Sequence, residues 1–217
     1  QTWMITEQGL APKTCNLRLT AIRSFLEYAA QEYLWLMPVY TDACTIAGVK
    51  TPNHAIEYFE PNEMTALLAA PSGTSRTDRR NQMMLIFLYD TAARVAEARQ
   101  VKVSDLHLDA GVPYVTLLGK GRKYRNIPLM EKTVLHLKRY LKDFHGSDPK
   151  TDLPLFYAKA HGLLHELSSD TFEKMIKRYA EQCREGGYPM PDRVHCHMIR
   201  KTRAMDLYRE GVPLPHI

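Results

Sequence analysis

Four side chains in this sequence have the types and the neighbours to work on a phosphodiester. Arg94 follows a long apolar stretch in Thr91-Ala92-Ala93-Arg94-Val95-Ala96-Glu97. Lys120 stands at the tip of a glycine-bracketed turn in Gly119-Lys120-Gly121-Arg122-Lys123-Tyr124-Arg125-Asn126-Ile127-Pro128-Leu129. His197 and Arg200 lie one helical turn apart in His197-Met198-Ile199-Arg200 and so share a face. Displacement at phosphorus places extra negative charge on the non-bridging oxygens. Guanidinium groups meet those oxygens with paired hydrogen bonds at any working pH. Without a metal, fixed cations must supply that electrostatic stabilisation. A lone arginine would be read as surface charge, and a lone histidine at a helix start as a capping or packing residue; their flanks make the difference here. Glu97 sits one turn after Arg94, placed to orient it, although an exposed pair of this kind is worth only about half a kcal/mol. The glycines beside Lys120 leave its approach to a groove unobstructed. Lys123 and Arg125 are expected to touch phosphate or only water. A rival reading gathers Cys183, His195, Cys196 and His197 around a metal. Adjacent residues cannot all face one ion, and the spacing matches no common zinc pattern.

These motifs resemble the catalytic domain of the tyrosine recombinases, the phage-integrase-type site-specific DNA recombinases, over about three quarters of the chain. The resemblance implies Arg94 and Arg200 as the phosphate-binding arginines and Glu97 as the supporting acid. It implies Lys120 as the general acid that protonates the leaving 5′-oxygen, and His197 as an aid to phosphate binding and proton transfer. The reaction implied is metal-free strand exchange through a 3′-phosphotyrosine, without cofactor, by a homotetramer on double-stranded DNA. Ala92 stands where the family more often has Gly, Ala98 where it often has Leu, and Lys201 where a His is common; Lys201 adds a cation to the pocket. The chain ends at Gly211-Val212-Pro213-Leu214-Pro215-His216-Ile217, short of the family's Leu-Gly-His box and its nucleophile. None of the twelve tyrosines has the nucleophile's context, and Tyr208, nearest to it, is expected to pack. The expectation is a fragment, opening on Gln1 rather than Met, that binds DNA without cutting it. Two alternatives stand beside this: a non-catalytic DNA-binding regulator, and a type IB topoisomerase.

The elements that must position these groups follow from periodicity and breakers. Apolar residues Leu19, Ile22, Phe25, Leu26 and Ala29 recur at helical spacing from Pro12 to about Gln31, with Lys13, Arg18 and Arg23 on the more polar sides. By resemblance this helix belongs to a small helical core-binding domain, and those three cations are expected DNA contacts, together with Arg122, Lys123, Arg125 and Lys201. The stretch 49–54 reads as a linker, dividing a partial core-binding segment (1–52) from an incomplete catalytic domain (53–217). A short helix from Pro61 to Ala70 is followed by one from about Asp78 to Asp90, apolar nearly all round and so a buried spine. Val112–Leu118 and Arg125–Leu129 read as paired strands. A helix from Glu131 to Phe144 follows, with Val134, Leu137, Tyr140 and Leu141 on one face. Asp148-Pro149 breaks the chain, and Leu153–Tyr157 is a short extended piece. His161 and His165 read as loop residues. A helix capped by Ser169 or Asp170 runs to about Glu185, and the last starts near His197 and stops at Gly211. The fold class expected is mainly α with a small antiparallel β-sheet: a helical segment, then a mixed α/β domain. Net charge is +5 in 217 residues, a modest excess that clusters at Arg76–Arg80, Lys120–Arg125 and Arg200–Arg203. Four scattered cysteines, with no signal peptide or membrane-spanning run, fit a reduced cytoplasmic protein.

Overall fold

The computed structural model of the chain describes residues 2–52, 55–147, 151–160 and 162–216, with backbone alone at Lys120, Ala160 and His216. The end of the expected linker at Asn53-His54, the Asp148-Pro149 break and His161 lie outside the described residues. The chain divides into two units, Gln1–Ala55 and Ile56–Ile217.

The first unit is helical: α1 (Thr2–Thr6), α2 (Pro12–Glu32) and α3 (Met37–Thr45). Pro12 opens α2 where a missing N–H costs nothing. The face α2 buries carries Cys15, Leu19, Ala29 and Ala30, whereas Ile22 is 48% and Phe25 67% exposed. The helix is apolar on two sides, and sequence spacing merged them. Packing of α3 chose one side, and Arg23 shows how. Its guanidinium donates to the carbonyls of Ala43 (3.0 Å), Cys44 (3.2 Å) and Ile46, the unpaired groups at the end of α3. Arg23 therefore caps a helix, a partner that its place on a polar side of α2 did not reveal. Lys13 and Arg18 stand exposed.

In the second unit, α4 (Pro61–Ala69) starts with Glu63 accepting the Glu60 N–H at 2.8 Å. Helix α5 (Arg76–Thr91) starts at Ser75, whose hydroxyl accepts the Asp78 N–H at 2.9 Å. It is the expected spine: Met83, Met84, Leu85, Phe87 and Leu88 are at most 3% exposed. After a short α6 (Val95–Gln100) comes a three-stranded antiparallel meander, β1 (Leu106–His107), β2 (Tyr114–Leu118) and β3 (Tyr124–Pro128). Val115 faces Ile127 and Leu117 faces Arg125 in the register of β2 and β3. Val115 and Leu117 are fully buried, and their partners share that inner face. Strand β1 was not expected from the sequence.

Helix α7 (Glu131–His145) lays Val134, Leu137, Tyr140 and Phe144 into the core beside α5. The extended piece expected at Leu153–Tyr157 forms an isolated bridge from Pro154 to Lys102, and its last residue opens the next strand. A second hairpin follows, β4 (Tyr157–Ala160) with β5 (Leu163–Glu166). His165 is thus in a strand, not a loop. Helix α8 (Ser169–Glu185) is capped one residue earlier than expected, by Ser168 accepting the Thr171 N–H at 3.2 Å. Helix α9 (Cys196–Arg209) buries Cys196, Met198, Ile199 and Thr202 and packs against α5 and α8. The Thr202 hydroxyl accepts the buried Phe59 N–H at 2.9 Å and donates to the Met198 carbonyl at 2.9 Å.

Candidate phosphate-binding site

The site is assembled where α5 ends. Thr91 donates its hydroxyl to the Phe87 carbonyl (2.6 Å) and accepts the Ala93 N–H (3.2 Å), which turns the chain out of the helix. Ala92 then takes a left-handed conformation, φ 48° and ψ 30°. That region costs a Cβ-bearing residue about 1 kcal/mol or more, and a glycine would adopt it without that cost. The turn leaves Arg94 at the start of α6, with Glu97 in its first turn. Glu97 accepts the Arg94 backbone N–H at 2.8 Å through one oxygen and the Arg94 guanidinium at 2.9 Å through the other. Half the Arg94 side chain remains exposed, while that of Glu97 is 4% exposed.

Arg200 comes to the same turn from α9. Its guanidinium donates to the Ala92 carbonyl, the carbonyl end of α5, at 2.5 Å. Burial first, then the nearby Arg94, lowers its pKa from the ordinary arginine value. Two guanidiniums separated by more than a hundred residues are thereby placed close enough to repel. Nothing in folding rewards such a pairing except the backbone carbonyl and carboxylate that hold each one. His197, exposed on the first turn of α9, has its pKa lowered by burial and then by Lys201, Arg200, His195 and Arg94. Burial and these cations thus favour its neutral form, and half-buried Lys201 lies in the same electrostatic neighbourhood.

Arg125 departs from expectation. It points inward from β3 and gives two parallel hydrogen bonds to Glu97, at 2.7 and 3.0 Å. Burial alone would raise the Glu97 pKa; the hydrogen bonds from Arg125 and Arg94 outweigh it and hold the carboxyl down at about 2. The alternation of β3 carried this signal: residues 125 and 127 must share a face, and Ile127 is core-facing. Arg122 and Lys123 stand exposed at the turn, Arg122 with φ 58°. Lys120 lies in a 3₁₀ turn, Lys120–Arg122, closed by Gly119 N–H donating to the Lys123 carbonyl at 2.8 Å; its side chain is outside the described atoms. Tyr208, expected to pack, is 54% exposed on α9. Among the described residues no tyrosine hydrogen-bonds to Arg94, His197 or Arg200. Among them, too, no three His, Cys, Asp or Glu side chains are gathered as a metal cage. Cys196 is buried, its thiol pushed up by that burial, and its backbone N–H is taken by the Glu173 carboxylate at 3.3 Å.

Compared with known families, residues 57–217 match the phage integrase family. The chain belongs to that family, the tyrosine recombinases. The chain is 30% identical over 94% of its length to the y4rC protein of Sinorhizobium fredii, provisionally named an integrase/recombinase, and covers 60% of it. It is 30% identical over 97% of its length to the tyrosine recombinase XerD of Halalkalibacterium halodurans, covering 67% of that protein. The chain thus spans about three fifths to two thirds of the length of these relatives. Among solved structures, the Tn1549 transposon integrase in complex with circular intermediate DNA matches with a TM-score of 0.70 at 18% identity, over 98% of this chain and 71% of that one. The mainly helical fold with small antiparallel sheets is the family's. None of the helices described is long and apolar enough to cross a membrane.

Proposed function

We propose that the protein is a site-specific DNA recombinase whose pocket at Arg94 and Arg200 grips the phosphate at which a strand is broken and rejoined. The observation that carries this is the convergence of the two guanidiniums on one turn, Arg94 held by Glu97 and Arg200 by the Ala92 carbonyl. Two cations held at one turn oppose the charge that develops on a five-coordinate phosphorus. His197 beside them, its neutral form favoured, can accept or donate a proton, and Lys120 is the group assigned to protonate the leaving oxygen. Arg122, Lys123 and Lys201, with Lys13 and Arg18 of the first unit, add sequence-independent affinity for duplex DNA. On this reading the nucleophile is a tyrosine, and among the described residues none is hydrogen-bonded at this pocket, which is consistent with these 217 residues binding and polarising the phosphate without cutting. With the tyrosine in place, transesterification keeps the energy of the broken bond in a 3′-phosphotyrosine, and no cofactor is needed. Strand exchange then requires four protomers on paired DNA sites, in the cytoplasm.

The test uses the full-length protein with duplexes selected for binding from a random pool. A covalent protein–DNA adduct should survive denaturation. Arg94→Ala and Arg200→Ala should each abolish it while lowering affinity only modestly, since many cations share the backbone. Adduct formation at the unchanged rate in either variant would sink the assignment. Binding with no adduct even in the unmodified protein would indicate a regulator, and relaxation of a supercoiled plasmid without paired sites a topoisomerase.

A further inference from the structure

We infer that Arg125 is a positioning residue that clamps the lysine-bearing turn to the Arg94 pocket through Glu97, and does not contact DNA. The inference rests on the phosphate-pocket reading for its consequence, but its geometry stands apart from it. Both terminal nitrogens of Arg125 are taken by the two oxygens of Glu97, a planar fork on a planar carboxylate. That carboxylate is itself fixed by the Arg94 N–H and nearly excluded from water. A single buried anion therefore joins β3, which leads out of the turn, to the first residue of the pocket.

Gly119 provides a second, independent mark of the clamp. Its φ of −89° and ψ of −174° are ordinary extended backbone, open to any residue. What forbids a side chain is approach: a Cβ there would lie 2.9 Å from the Arg125 Nη1, 3.4 Å from the Lys123 carbonyl and 3.6 Å from the Glu97 Oε1. An arginine tip normally swings away from such a contact. This one is tied on both nitrogens, so Gly119 is small because the guanidinium crosses over it. Its N–H meanwhile closes the turn on the Lys123 carbonyl. The turn that carries Lys120 thus takes its position from the same carboxylate that orients Arg94. The backbone that bears Lys120 and the first phosphate ligand therefore share one anchor, and small errors in such an anchor are costly to rate.

The test is made on the intact 217-residue chain by amide hydrogen exchange and by NMR of the arginine side chains, with a short random-sequence DNA duplex as the probe. Arg125→Gln, Glu97→Gln and Gly119→Ala should each speed exchange at the amides of residues 119–124 by about ten-fold or more. In Gly119→Ala, exchange in α5 should stay unchanged, which separates a released turn from a failing fold. Gly119→Ala is the decisive variant because it removes no charge. The double variant Arg125→Gln/Glu97→Gln should exchange no faster than the faster single one, since both remove one link. Guanidinium protons of Arg125 should be slow-rotating and resolved, lost in Glu97→Gln, and unmoved by the duplex. The clamp is overturned if the duplex shifts the Arg125 guanidinium signals, if the two single effects add, or if Gly119→Ala leaves the turn unchanged. Should the duplex bind nowhere on the chain, the DNA reading fails while the exchange data still judge the clamp.

Discussion

Replacing Glu97 by glutamine should expose how much one buried anion contributes to this fold. The side chain keeps its shape and one acceptor but loses the charge to which two arginines are bonded. In the folded chain the carboxyl titrates at about 2 instead of the ordinary 4.5. A difference of that size corresponds to about 3 kcal/mol of preference for the ionised, folded state. The sign follows from a folded pKa below the unfolded one. The stabilisation is complete above about pH 4.5 and is lost as pH falls through about 2. Glu97→Gln should therefore lower the unfolding free energy of the second unit by about 2–3 kcal/mol at pH 7. The gap between variant and parent should narrow steadily below pH 4.5. Urea titrations followed by circular dichroism would measure it. Tryptophan fluorescence would not serve, because Trp3 and Trp35 both lie in the first unit. A variant within about 0.5 kcal/mol of the parent at neutral pH, or a gap that keeps its full size at pH 3, would refute the argument.

Ala92→Gly should relieve the left-handed strain at the end of α5 and stabilise the second unit by about 0.5–1 kcal/mol, read as a rise of about 2 °C in its melting temperature. A fall would mean that the backbone entropy of glycine outweighs the strain. Thr202→Val leaves the buried Phe59 N–H without an acceptor and should cost about 1–3 kcal/mol in the same urea titration. Arg23→Gln should destabilise the first unit by about 1 kcal/mol, reported by its tryptophans, through loss of the α3 cap. The salt dependence of DNA binding should stay as it was; a slope lower by about one would instead restore Arg23 as a phosphate contact.

Local chemistry made much of this protein legible before any coordinates. Pro12 and Pro61 mark helix starts, the all-round apolar run at 83–88 marks a buried spine, and the glycine-bracketed turn marks a hairpin. The phosphate-binding chemistry of Arg94 and Arg200 could be argued from their types and flanks alone. What sequence could not show is which partner each polar group meets, because that depends on residues far away in the chain. Arg23 looked like a free cation until α3 presented its carbonyls, and Arg125 until Glu97 stood 2.7 Å from it. Helix α2 offers two apolar sides, and only packing selected Leu19 and Ala29 over Phe25. The same holds at the pocket itself. The sequence supplies two arginines with fixed charge, whereas the left-handed turn at Ala92 and the burial of Glu97 decide that both are held at one turn.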